Sequence, residues 1–344
     1  MKNIKHWIVK NPDLAFAVLL AICVYSYFAL TNEFFATHRT GYAIMERFAV
    51  LGLVGLALTL CIIAGEIDLS IGSNAALAAV IVVRFTDSLG AVTALLIAIL
   101  ISTLVGAIQG YFIAYLRVRA IVLTVGTLML LRGVALFAAQ EKTVMLTDFR
   151  VPDFISTKMF LYFSPASLLV IAMFIVVGLF MTFTRYGREI YAIGGARKEA
   201  IAAGIDLKRP MIIVFAISGL CAGLGGCIIG LRSGTAQALG LQYLLLAGTV
   251  AAFGGVSILG GKGGVVGAAI GTLTVNFLNT GLVFNVTPAF MIQLYLGILL
   301  MVVIMFQTGS RLFEGHERRK QLLSDVDIRR LDLLARKNAF KPPI

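Results

Sequence analysis

Eight predominantly apolar runs of membrane length, at 14–30, 48–64, 89–116, 120–138, 166–183, 211–230, 265–284 and 288–306, constrain this chain more than any other feature. A hydrocarbon core about 30 Å thick is crossed by roughly 20 residues of helix rising 1.5 Å each. Inside lipid every backbone N–H and C=O must be satisfied within the segment, so each run is expected to be an α-helix. Two further runs, 69–83 and 244–259, are shorter and carry glycines. The fold class that follows is an all-α polytopic membrane protein of about ten transmembrane helices with Gly-interrupted segments. Composition agrees: 59% of the residues are hydrophobic and 13% charged, where a soluble domain carries about a quarter charged residues.

The net charge is +12. On a soluble domain that excess would suggest nucleic acid, but here the cations lie between the apolar runs, as the positive-inside rule places them. No nucleic-acid partner is expected. The start of the chain has Lys2, Lys5 and Lys10 against Asp13. The 184–209 segment has Arg185, Arg188, Arg197, Lys198, Lys208 and Arg209 against Glu189, Glu199 and Asp206. Arg117 and Arg119 follow one run, and the tail from Arg311 is basic, whereas 31–47 and 139–165 carry balanced charge. With the N-terminus in the cytoplasm and ten crossings, every basic segment falls inside, both balanced ones fall outside, and the C-terminus is cytoplasmic. The first run lacks a small-x-small cleavage site before Asn32 and Glu33, which predicts a retained anchor.

Chemistry-bearing residues are few. Cys23, Cys61, Cys221 and Cys227 all lie in apolar runs without metal-type spacing to His6, His38 or His316, so they read as small buried hydrophobes and no metal is expected. No convergent acid, base and nucleophile set exists for an enzyme. The segment 65–74 places Glu66, Asp68, Ser70, Ser73 and Asn74 between two runs. Asp68 or Ser70 either caps the next helix or, with Ser73 and Asn74, faces a solute path, since ionisable groups at such depth are costly unless paired, capping or wet. A second Gly-broken segment, 252–264, occupies the matching place in the other half of the chain, and matched broken helices point to a transport path. Its Gly261-Lys262 pair lacks the earlier Gly and following Ser or Thr of a phosphate loop, having Val256 and Gly263 there instead, so no ATP site is expected in this chain.

Small residues recur every four positions at Gly219, Gly223 and Cys227, at Gly226 and Gly230, and at Gly263, Gly267 and Gly271, a spacing that lets helix backbones approach in lipid. Polar residues inside the runs are Gln109, Arg132, Asn276, Asn279 and Gln293. Asn276 and Asn279 share a helix face and either line a polar path or bond across helices, while Arg132 is placed to snorkel. An ion-coupled secondary transporter of small polar solutes is the rival reading; it requires mid-run carboxylates or histidines, and beyond Glu66 and Asp68 none is read. The chain divides into a transmembrane domain, 1–310, and a tail, 311–344. Within the tail, residues 315–339 read as an amphipathic helix with a basic face suited to anionic membrane lipid or to a protein surface.

Four segments carry a family resemblance: AGEIDLSIGS at 64–73, LTVGTLMLLRG at 123–133, the charged island TRYGREIYAIGGARKEAIAAGIDLKR at 184–209, and GGVSILGGKGGVVGAAIG at 254–271. Over about 14–306 the sequence resembles the ribose and galactose type membrane permeases of bacterial ABC importers, a group that also handles other pentoses, hexoses, polyols and a quorum-signalling furanone. It departs from the family at Glu66, where a second Gly is usual, at Ala196 in place of Asn, and at Leu244 and Leu246, where acidic residues are frequent. The resemblance implies a non-catalytic permease subunit in the bacterial inner membrane that moves a monosaccharide or related small polar solute. Its partners would be a second permease, identical or paralogous, a tandem-cassette ABC ATPase holding ATP and Mg, and a periplasmic sugar-binding protein. No cofactor is expected in this chain. The loop at about 184–210 would couple to the ATPase through Gly187, Arg188, Ala192, Gly194, Arg197, Lys198, Glu199, Ala200, Ala203, Gly204 and Ile205. Residues 196–203 would form a short helix presenting Arg197, Lys198 and Glu199 as charge and Ala200, Ala202, Ala203 and Gly204 as a smooth surface. It would move as a lever on spans attached through Gly187 and Pro210.

Overall fold

The computed structural model describes residues 12–159, 162–236, 241–257, 259–306 and 309. Two compact units divide the chain, Met1–Leu296 and Gly297–Ile344. In order the elements are α1 (Pro12–Thr31), α2 (His38–Ile63), α3 (Ile71–Leu89), α4 (Ala91–Tyr115), α5 (Ala120–Ala139), β1 (Val144–Met145), α6 (Arg150–Ser156), α7 (Pro165–Phe183), α8 (Arg185–Gly195), α9 (Arg197–Ala202), α10 (Lys208–Ser233), β2 (Thr235–Ala236), α11 (Leu241–Phe253) and α12 (Val265–Phe284), followed by α13 (Ala289–Phe306). Among the described residues, 8 helices are long and apolar enough to cross a membrane. The chain is therefore an all-α polytopic membrane protein apart from one short antiparallel ribbon, β1 with β2, in register Val144↔Ala236 and Met145↔Thr235. The 311–344 tail lies outside the described residues, as do Lys2, Lys5, His6 and Lys10.

Local sequence explains where the helices begin. Thr37 caps α2, its hydroxyl accepting from Thr40 N, and Thr184 caps α8 by accepting from Gly187 N. Ser164 and Ser167 form a reciprocal capping box at α7, with Pro165 at its first position, where a missing N–H costs nothing. Gly90, at φ 84°, closes α3 and opens α4 in one residue.

The core is built around α2, whose side chains from Phe48 to Ile63 are almost all buried. Around it pack α7, α10, α11 and α12, and α10 in turn lies against α3 and α4. Small residues set these distances. A Cβ on Gly106 would sit 2.1 Å from Phe215 O, one on Gly219 2.4 Å from Ser102 O, and one on Gly226 2.0 Å from Ala75 O. Along α12, Gly267 and Gly271 meet the backbone of Gly254 and Val250 in the same way, whereas Gly263 precedes the helix at φ 111° and faces Val256. By contrast α4 exposes Leu96, Leu100, Leu104 and Ile108, the stripe expected where a helix meets lipid acyl chains.

Three expectations change. The run read as 48–64 begins at His38, so Glu46 and Arg47, assigned to an outer loop, belong to α2. The run at 244–259 becomes a helix of 13 residues ending in a Gly turn. Cys61, Cys221 and Cys227 are buried as expected, but Cys23 is exposed on α1, whose few buried residues leave most of its surface outward.

Candidate functional site

Both Gly-broken segments end at the charged 184–209 segment. Gly65 turns the chain after α2 at φ 79°, and Gly260 and Gly261 turn it after α11 at 86° and 69°, conformations open to glycine at little cost. Gly194 closes α8 between them. A Cβ on Gly194 would fall 1.8 Å from Ile63 O and 2.8 Å from Gly261 N; one on Gly260 would fall 2.7 Å from Gly194 O and 2.8 Å from Gly65 Cα. Gly261 N donates to Ile63 O at 2.9 Å. Tyr191 of α8 donates its hydroxyl to Gly263 O at 3.1 Å, and Arg197 of α9 meets Glu66 at 2.6 Å. Backbone touches backbone here because no side chain intervenes, and a joint of that kind transmits displacement with little slack.

The coupling candidates divide by exposure. Lys198, Glu199, Ala203 and Gly204 are exposed on or just after the short helix α9, joined by Ile201 and Ala202. Gly204 ends that helix at φ 83° with nothing within 4 Å of where a Cβ would stand, which marks it as an outward corner. Ala200 is buried in the chain's own core, so the smooth surface expected of it is supplied by Ala202 and Ala203 instead, with Ile201 beside them. Arg197 is partly neutralised by Glu66 and does not present a free charge. Ala192 and Ile205 are half-buried and pack on the same core. Arg188 bonds Phe183 O at 3.2 Å, and Gly187 sits where a Cβ would meet Met181 O at 2.3 Å, so the α7–α8 corner is tightly packed. Pro210 is buried in the first turn of α10, where proline is tolerated.

Of the residues proposed for a solute path, Asp68, Ser70, Ser73, Asn74 and Asn276 are buried and Asn279 is half-buried. Asp68 Oδ1 accepts from Ser70 N at 2.8 Å and Ser70 Oγ at 2.6 Å, and Gln109 donates to Ser70 Oγ at 2.8 Å. Asp68 thus makes the turn into α3, while Ser70, its N-cap, makes no side-chain capping bond. Burial pushes the Asp68 carboxyl up to about 6, against the pull of its Ser70 bonds. Asn74 donates to Ser102 O at 3.2 Å, and Ser73 is buried beside it. On α12, Asn276 is 3% exposed with its Nδ2 unpartnered, and Asn279 accepts from Arg47.

A charged group missed in the sequence lies at the other end of α2. Glu46, 1% exposed, accepts from Ser164 Oγ and pairs with Arg232 Nε at 3.0 Å, and Arg232 Nη1 also donates to Glu46 O at 2.9 Å. The missed signal was Thr37, a cap residue that moves the helix start ahead of Glu46. Glu46 is thus paired and hydrogen-bonded rather than free. Among the described residues no group of three metal-ligating side chains forms.

Residues 42–306 match the family described as the permease component of branched-chain amino acid transport systems. The chain is 32% identical over 270 residues to the D-allose transport system permease protein AlsC of Escherichia coli K12, covering 77% of this chain and 82% of that protein. It is 31% identical over 288 residues to the ribose import permease protein RbsC of the same strain, covering 81% and 87%. With the autoinducer 2 import system permease protein LsrC of Photorhabdus luminescens the identity is 28% over 311 residues, 88% and 92% of the two chains. No solved structure matches.

Proposed function

From the premise that this chain belongs to that permease family, as the non-catalytic, multi-pass membrane subunit of an ABC importer, we propose that it carries a monosaccharide or related small polar solute across the bacterial inner membrane. A ribose-like sugar, a polyol or a furanone fits the relatives named for allose, ribose and autoinducer 2. The family implies an ATPase and a periplasmic binding protein as partners. In our reading the ATPase is a tandem cassette that holds ATP and Mg, a second permease completes the path, and this chain binds no cofactor. We count ten spans by adding α3 and the short α11 to the apolar helices, with both chain ends in the cytoplasm.

The observation that carries this reading is the joint of Gly65, Gly194, Gly260 and Gly261 beneath the exposed α9. Force applied to α9 by a closing ATPase would pass through Gly194 into the inner ends of α2 and α11 together. Asp68, Ser70, Ser73, Asn74 and Asn276 are enclosed in this conformation, with Asn279 half-buried beside them, and the enclosed residues would meet solute only when those helices part. Purification of the chain from its native membranes in mild detergent, with mass spectrometry of what accompanies it, tests the proposal. Recovery of a tandem-cassette ATPase and a binding protein that retains a sugar or polyol is expected. Recovery of the chain with no ATPase, even after crosslinking at 184–209, would return weight to an ion-coupled carrier.

A further inference from the structure

The Glu46 cluster ties several outer elements to one point on α2. Ser164, which donates to Glu46, is the N-cap of α7, and its oxygen accepts from Ser167 N at 3.2 Å. Arg232 stands in the last turn of α10, just before Gly234 turns left-handed at φ 64° into β2. β2 pairs with β1, and Leu146 N donates to Gly234 O at 2.9 Å, so the stretch that begins at β1 is joined to the Arg232 end of α10. The end of α6 reaches α2 directly, where Tyr42 donates to Ser156 O, and just before α7 Tyr162 OH lies 2.8 Å from His38 Nδ1. Arg47, next to Glu46, donates to Asn279 of α12.

The opposite end of the same helix is the Gly joint. From Glu46 to Ile63, α2 runs without proline or break for about 26 Å at 1.5 Å per residue. Along that length Gly52 lies under Phe174 and Gly55 under Val250, so neighbouring helices follow the rod closely. The carboxylate of this pair is buried while Arg232 stays 30% exposed; parting the two is costly because Glu46 would be left buried and uncompensated. Such a contact is either closed or parted, and a two-state contact on a rigid element can couple distant sites.

We propose that α2 is the transmission rod of this permease, with the Glu46–Arg232 pair as a lock at its outer end and the Gly65–Gly194–Gly261 joint as its output to the ATPase-coupling segment. A binding protein that seats on β1 and α6 draws Ser164 and Arg232 away from Glu46, and α2 then shifts against Gly194. The inference rests on the importer reading, but it fails separately, since an importer without such a lock would still assemble.

The test uses the complete importer, with its ATPase and binding protein, in nanodiscs for ATPase rates and in proteoliposomes for uptake. Glu46→Gln keeps the shape and a bond from Ser164 while removing the ion pair. ATPase activity is expected to rise without binding protein and to lose its response to it, the stimulation falling by about fivefold or more, the range of an ordinary coupling energy. Arg232→Gln should do the same, and the double variant should be no worse than either single one. Arg232→Lys retains the charge but loses a bond to Glu46 O, and should give a partial effect if Glu46→Gln fails to fold. Unchanged stimulation with only a lower melting temperature would reduce the cluster to a structural staple and overturn the proposal. Absence of any copurifying ATPase would instead count against the importer reading.

Discussion

Replacing Gly194 by alanine should break the joint between α8 and α2, and the size of the effect follows from the backbone. The new methyl would lie 1.8 Å from Ile63 O and 2.8 Å from Gly261 N, about 1.5 Å short of ordinary contact with the first. Both atoms are backbone, so no side chain can swing aside. Either α8 lifts from the end of α2, or the methyl parts the Gly261 N to Ile63 O bond of 2.9 Å. Overpacking of this kind costs about 1–3 kcal/mol, and the lost bond about 1 kcal/mol. Gly195, one residue on, is the internal control: a Cβ there would meet Gly261 Cα at 3.7 Å, an ordinary contact. Gly195→Ala should be neutral or slightly stabilising, because alanine is the better helix former by roughly 1 kcal/mol. Thermal unfolding in detergent and uptake by the reconstituted importer would be measured for both. A lowered melting temperature with lost uptake for Gly194→Ala, against near-normal behaviour for Gly195→Ala, is expected. Equal behaviour of the two would refute the backbone joint.

Glu199→Arg and Gly204→Trp alter the exposed edge of the coupling segment, so the chain should still insert into membranes while uptake falls to background; normal uptake would remove the segment from the coupling path. Glu66→Gln takes away the partner of Arg197, itself 44% exposed. A pair so open to solvent contributes below about 1 kcal/mol, so the melting temperature should hardly move, and a large drop would show the pair to be structural. Asp68 has its carboxyl raised by burial to about 6, above the unfolded value of about 3.9. The unfolded chain therefore ionises first, and stability should fall as pH rises from about 4 to about 6, by about 3 kcal/mol. Asp68→Asn, which still accepts both Ser70 bonds, should flatten that slope in thermal unfolding; persistence of the slope would assign it to another group.

Much of the site could be read along the chain because its signals are local. The two Gly-broken segments and the charged 184–209 stretch stood out as departures from an apolar background, and the order of four motifs carried the family. Burial of Ala200 was not legible, since a six-residue helix has too few turns to show which face is inward. Glu46 and Arg47 were read as loop residues because hydropathy starts a span at the first long apolar run, whereas the helix itself starts at its cap, Thr37.

The sequence by itself determined the solvent of this protein, its helical class and its family, since bilayer thickness and backbone satisfaction act on each segment separately. Only the tertiary structure decided that Glu46 is held by Ser164 and Arg232, 118 and 186 residues away, and that both Gly breaks close on Gly194. Which carbonyl a missing Cβ leaves room for, and which cation reaches a buried carboxylate, depends on how separate helices cross, and no local pattern of residues carries that information.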